Sequence, residues 1–168
     1  MNKIWYTDGA CSGNPGSGGC AAIEFDNNII TNIYYEFSSD TTNNREELKA
    51  ILYVVKLAAE DPSNEYIIYT DSMYCVNTIN DWMFTWANNG WKNSKNEIIK
   101  NLDLIEQLWK LFKTPFFNVE LKKVPGHSNI IGNELVDLLA KNKLDKFHNL
   151  IKINKINNLY GIIIKNMI

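Results

Sequence analysis

An α/β domain with a mixed five-stranded sheet is the architecture predicted by the order of patterns along these 168 residues. Three strand-like segments precede the first helical one, so the sheet opens as a meander. Helix and strand patterns then alternate, which calls for parallel pairing. In addition, two apolar runs end in the same three residues, Tyr6-Thr7-Asp8 and Tyr69-Thr70-Asp71. Each reads as a buried strand that delivers an acid at its C-terminal end.

The first strand leads into Gly9 to Gly19, where Gly13, Asn14, Pro15 and Gly16 form a tight, turn-rich connection. Strands follow around Cys20 to Phe25 and Ile29 to Phe37, with Asp26-Asn27-Asn28 as the hairpin turn. The first helix is expected from about Asn43 to Glu60, stopping before Pro62. The second Tyr-Thr-Asp strand comes next, then helical sequence from Ser72 to about Asn88, broken by Asn88-Asn89-Gly90. A long helix is predicted from about Glu97 to Phe112 and a last strand from Phe116 to Val124. The Pro125-Gly126 turn then leads to a final helix from about Ser128. Residues 1–145 are expected to form one domain, and residues 146–168 a basic tail rich in Asn, Ile and Lys. Within that tail Ile153, Ile156 and Tyr160 have helical spacing, whereas Ile162-Ile163-Ile164 fits helix or strand equally.

At 45% hydrophobic residues the chain can bury one sizeable core, and its length asks for no second domain. No stretch approaches the roughly 20 apolar residues that span a bilayer. Strand-like sequence begins too early to leave room for a signal or transit peptide, so an intracellular, soluble protein with no membrane partner is expected. Cys11, Cys20 and Cys75 are odd in number and lack metal-ligand spacing, which predicts free thiols in a reducing compartment. A formal charge of −2 argues against holding nucleic acid mainly by electrostatics. The charge is uneven, however: residues 141–168 carry a net +5 and the remainder −7. Such a split permits a basic arm, although a solvated or packed tail is the blander reading.

Neighbouring strands lie about 5 Å apart, so Asp8 and Asp71 on paired strands would face each other where like charges repel strongly. A shared proton or a divalent metal would neutralise them, and the metal reading makes this a candidate phosphoryl-transfer site. The first helix offers two further acids. Glu47 shares its face with Ile51, Val54 and Ala58, while Lys49, Lys56 and Glu60 mark the water face. A carboxylate turned toward the sheet is costly unless paired, so Glu47 is expected to join the aspartates. Glu46, three residues after Asn43, is expected to close a capping box instead. Asp137 shares a helix face with Asn133 and Lys141, opposite Leu135, Leu138 and Leu139, and periodicity alone makes it a surface acid. His127, in a Pro-Gly-His-Ser turn, is either a proton carrier or a plain loop histidine.

Taken together these residues resemble the type 1 ribonuclease H class, over residues 3 to about 141. Asp8-Gly9 with Gly13-Asn14-Pro15-Gly16 and Gly18-Gly19 is similar to the family's first-strand motif. Thr42-Asn43-Asn44-Arg45-Glu46-Glu47-Leu48 is similar to its helix motif, with Glu47 at the acidic position. Thr70-Asp71-Ser72 resembles the third motif, and Gly126-His127 with Asn133-Glu134 and Asp137 the fourth. Four motifs in order make the resemblance specific. It implies a ribonuclease H-like fold with a catalytic domain over residues 1–145. It also implies endonucleolytic cleavage of the RNA strand of RNA/DNA hybrids, with 5′-phosphate and 3′-hydroxyl products. By the same resemblance Asp8, Glu47, Asp71 and Asp137 would hold two Mg2+ ions about 4 Å apart, with Mn2+ as an alternative. His127 would relay a proton or help the product leave.

The resemblance also implies that Asn14, Asn44 and the backbone near Cys11 and Ser12 meet the 2′-hydroxyls by which RNA is told from DNA. Thr42, Tyr74, Trp82, Trp86 and Ser94 would hold the DNA strand. Without it, the asparagines read as turn and cap residues and the tryptophans as core. The sequence departs from the family where relatives carry a basic handle, because Ala87, Asn88 and Asn89 stand there and only Lys92 and Lys95 lie nearby. Asp40 and Thr85 replace an arginine and an asparagine common in relatives, so weak affinity with a shallow salt dependence is expected. A monomer with no obligatory protein partner is expected, lacking the separate hybrid-binding domain of some relatives. The competing readings are a junction resolvase or reverse-transcriptase domain of the same fold, and a hybrid-binding module without catalysis. A non-catalytic module has no need to concentrate acids where phosphate sits.

Overall fold

The computed structural model describes residues 2–115, 117–126 and 129–158. The meander is β1 (Asn2–Gly13), β2 (Gly16–Asp26) and β3 (Ile29–Thr41), paired antiparallel. Helix α1 (Asn43–Glu60) carries the chain to β4 (Glu65–Thr70), which lies parallel to β1. A helical stretch follows: α2 (Met73–Asn77), a π-helical turn over Thr78–Trp82, and α3 (Met83–Asn88). Then come α4 (Leu102–Phe112) and β5 (Val119–Lys123), the latter parallel to β4. Helices α5 (Ile131–Ala140) and α6 (Leu144–Ile153) precede β6 (Asn157–Asn158), a two-residue strand parallel to β3. The sheet order is β5-β4-β1-β2-β3-β6, so the mixed five-stranded sheet is as predicted, with β6 added at one edge.

Both faces of the sheet are covered, which is why Cys20 to Ile23 in β2 form an unbroken apolar run. Ala22 turns to the side where Trp5, Ile68, α1 and α4 pack. Ala21 and Ile23 turn to the other, with Phe25, Ile30 and the α5 and α6 residues Leu135, Leu139 and Phe147. The part of the tail that is described is therefore packed rather than free. Phe147 is fully buried and Ile156 nearly so. Phe147→Ala should accordingly cost about 3–5 kcal/mol, as truncation of a buried aromatic does. A calorimetric melt would then fall by roughly 6–20 °C at about 2–4 °C per kcal/mol for a chain of this size.

Three boundaries differ from expectation. The helix predicted from Glu97 starts at Leu102. Asn93 captures the preceding turn locally, its Oδ1 accepting from the amides of Lys95 and Glu97. The last strand begins at Val119 rather than Phe116, and the final long helix at Ile131. Phe116, the Ser128 start of that helix, and Tyr160 with Ile162-Ile163-Ile164 lie outside the described residues. All three cysteines are free thiols. No helix among the described residues is long and apolar enough to cross a membrane.

Candidate active site

Parallel pairing sets Tyr6 opposite Tyr69, and their rings stack with centroids 5.2 Å apart. Asp8 and Asp71 each follow two residues later, so strand alternation sends both acids to the side of those rings, at one end of the sheet. The Gly9 amide donates to Asp8 Oδ1 at 2.8 Å. Gly9 has no room for a Cβ, because the Glu46 and Glu47 backbone of α1 lies directly against it. This close approach brings Glu47 down to the aspartates. Carboxylate oxygens of Asp8, Glu47 and Asp71 all lie within 4.8 Å of one another. Asp137, from α5, lines the same groove of about 800 Å³.

The electrostatics are those of crowded, dry acids. Asp8 is 5% and Glu47 3% exposed. Burial first, then the charges of Asp71 and Asp137, raise Asp8 well above the usual carboxylate range. Burial again, then Asp8 and Asp71, raise Glu47 likewise. The Oε2 atom of Glu47 is buried and without a hydrogen-bond partner among the described residues. A buried, unpartnered carboxylate oxygen beside two other acids suits a hard divalent cation bound by oxygen ligands, so these residues fit Mg2+ or Mn2+.

Glu46 differs from the capping-box expectation. The N-cap is Thr42, whose hydroxyl accepts from the Arg45 amide at 3.4 Å. Glu46 is fully buried, accepts from the Thr41 hydroxyl at 2.7 Å, and pairs with Lys49 at 3.4 Å. Lys49 also reaches Glu36 at 2.7 Å and is only 18% exposed, so it does not mark the water face. Here β3 extends as far as Thr41, beside the start of α1. A second face of the helix is enclosed in this way, which a single-stripe reading misses.

The remaining predicted residues fall into separate groups. Cys11 and Ser12 line the groove beside the acids. Asn14 accepts from the Asn43 amide at 3.1 Å, tying the β1–β2 turn to the start of α1, where Thr42 is half-buried and Asn44 exposed. Tyr74, Trp82 and Trp86 form an aromatic run, with centroids 6.3 and 5.7 Å apart, and do not line the groove. Trp82 is 37% exposed at the π-helical turn, whereas Trp86 packs against the core. Ser94 is exposed on the loop after them. His127 lies outside the described residues. Two neighbours that the sequence places on the Asp137 helix face, without a role, are partners of the acids. Asn133 Nδ2 donates to Asp71 Oδ2 at 3.4 Å, and Lys141 Nζ lies 2.5 Å from Asp137 Oδ1. The only sequence signal for Lys141 is its spacing of four residues from Asp137 on one helix.

The family model described as RNase H matches residues 1–145. A ribonuclease H from Caldicellulosiruptor saccharolyticus is 44% identical over 143 residues, covering 84% of this chain and 94% of that one. Among solved structures, the type 1 ribonuclease H called LC9-RNase H1 superposes with a TM-score of 0.68 at 26% identity, covering 84% of this chain and 71% of the other. The foamy viral protease-reverse transcriptase in complex with RNA/DNA hybrid superposes with a TM-score of 0.73 at 22% identity. That match covers 83% of this chain and 19% of the larger one, and shows the shared fold.

Proposed function

The chain belongs to the ribonuclease H family, and on that premise we propose that it cuts the RNA strand of RNA/DNA hybrids internally, leaving 5′-phosphate and 3′-hydroxyl ends. The single observation that carries this reading is the convergence of Asp8, Glu47 and Asp71 at one end of the sheet, with Glu47 Oε2 buried and unpartnered. With Asp137 at the same groove, these are the residues that would hold two Mg2+ ions, Mn2+ being the alternative. When bound, such ions supply Lewis-acid charge that activates the attacking water and offsets charge on the departing 3′ oxygen.

The chain's own residues do the positioning. The Gly9 amide fixes one oxygen of Asp8, and Asn133 orients Asp71. Lys141 pairs with Asp137 one helical turn away and restrains its carboxylate along α5. His127 is assigned proton relay or product release. Cys11, Ser12, Asn14 and Asn44 are assigned to the 2′-hydroxyl edge of the RNA strand. Thr42, Tyr74, Trp82, Trp86 and Ser94 are assigned to the DNA strand, with the exposed Trp82 face offering a stacking surface. The 44% identity to a ribonuclease H over nearly all of that relative's length supports the substrate class. A hybrid labelled on each strand in turn and incubated with Mg2+ tests the reading. The expected result is internal cleavage of the RNA strand alone. Absence of RNA cleavage, or equal cutting of duplex DNA, would overturn it.

A further inference from the structure

The acid-lined groove is bordered on its α5 side by the corner that joins α5 to α6, through Lys141, Asn142 and Lys143. A second hollow shares Asp137 with the groove and is lined by Lys146. Cations therefore stand on both sides of the fourth acid. Lys141 is committed to Asp137. Lys143 and Lys146 are exposed and make no ion pair among the described residues, although Glu134 shares the second hollow and Asp145 opens α6. Their backbone is held firmly. The Lys143 amide donates to the Leu138 carbonyl at 2.8 Å, and Phe147, one residue after Lys146, is fully buried.

Among the described residues that line the acid groove the cations are Lys141 and Lys143, with Lys123 opposite Thr70 in the sheet and Lys92 and Lys95 after α3 standing outside it. From Trp82 to Trp91 no residue is basic. Arg45, the sole arginine, is held by both carboxylate oxygens of Asp103, at 2.9 and 2.6 Å. We propose that Lys143 and Lys146 bind backbone phosphates of the nucleic-acid substrate where it leaves the acid cluster on the α5 side. The inference rests on the hybrid-cleavage reading and specifies where that site finds its electrostatic hold. Of the lysines that make the end of the chain basic, Lys143 and Lys146 then act at this corner, while Lys152 and Lys155 stand toward the opposite end of the sheet.

The test compares two variants with equal loss of charge. Lys143→Ala with Lys146→Ala removes the corner. Lys152→Ala with Lys155→Ala removes two lysines near the opposite end of the sheet, where Asn28 in the β2–β3 hairpin donates to the Lys155 carbonyl at 3.1 Å. Binding of a fluorescent uncut hybrid is titrated across salt in the Asp8→Asn background. Cleavage is read separately in the unsubstituted chain. The corner variant should bind about tenfold more weakly at about 0.1 M salt, with its log–log salt slope reduced by about two, one for each phosphate that a lysine no longer neutralises. The distal pair should change the slope by less than half of that. Equal losses in the two variants, or no change in the corner variant, would overturn the proposal while leaving the cleavage reading intact. An unsubstituted chain that cuts no hybrid would instead overturn the reading on which the proposal stands.

Discussion

Asp8→Asn is expected to lower hybrid cleavage by about a hundred- to a thousandfold while raising the melting temperature of the metal-free protein. The loss of rate follows from removing one of the carboxylates that would hold the metal ions over the reacting phosphate; deleting a single preorganised electrostatic interaction costs about 10²–10³. The gain in stability follows from the same crowding. Asp8 carries a raised pKa because it is buried and faces Asp71 and Asp137. Above the ordinary carboxylate range the unfolded chain has released this proton while the folded chain still holds it. Folding stability therefore declines as pH climbs from that range toward the raised value. An asparagine has no such proton, so its melts in EDTA should show a shallower decline as pH rises above the ordinary carboxylate range. Added Mg2+ should reverse part of the decline in the unsubstituted protein, because an ion that binds only the folded state stabilises it. Full cleavage by Asp8→Asn would refute the metal-ligand assignment, and an unchanged pH profile of its melts would refute the crowding of Asp8.

Glu47→Gln and Glu46→Gln should separate function from stability on adjacent residues. Glu47→Gln is expected to abolish cleavage to about the same degree as Asp8→Asn, with little cost to the fold, because its charged form is already disfavoured by burial and by Asp8 and Asp71. Glu46→Gln keeps an acceptor for the Thr41 hydroxyl but leaves Lys49 with Glu36 as its one carboxylate, beside the Ser38 hydroxyl. Weakening that partly buried network should destabilise by about 1–3 kcal/mol. At about 2–4 °C per kcal/mol the melt then falls by roughly 2–12 °C, with the cleavage rate below that melt largely kept. Circular-dichroism melts alongside single-turnover cleavage distinguish the two. Loss of cleavage in Glu46→Gln with an unshifted melt would exchange the roles of the two acids.

How far the sequence foretold this arrangement depended on the range of the interactions involved. The Tyr-Thr-Asp strands were legible because strand alternation and burial are local patterns, and the stack of Tyr6 on Tyr69 places them in register. The burial of Glu47 followed from helical periodicity. Glu46 misled that same argument, since nothing in residues 43–60 announces that β3 encloses a second face of the helix. Residues 97–101 carry apolar spacing suited to a helix, but Ile98 and Ile99 pair back to Lys92 and Trp91, and Asn101 turns left-handed at φ 58° just before Leu102. Asp137 could be joined to the other acids only through family resemblance, because its groove is assembled by packing α5 against the sheet. The packing of α6 was illegible for a similar reason. Phe147 and Ile156 find their partners in Ile23 and Ile30, more than a hundred residues upstream.

The pairing of Tyr6 with Tyr69 constrains which changes of length this chain can absorb. A residue gained or lost within β1 or β4 would turn one Tyr-Thr-Asp end to the opposite face, carrying its aspartate with it. Substitutions along those strands alter packing by degrees, whereas an insertion there dismantles the site in one step. The β2–β3 hairpin, near the opposite end of the same sheet, is free of that restriction. Drift in chain length should therefore collect at the far end of the molecule and leave these two strands with a fixed count.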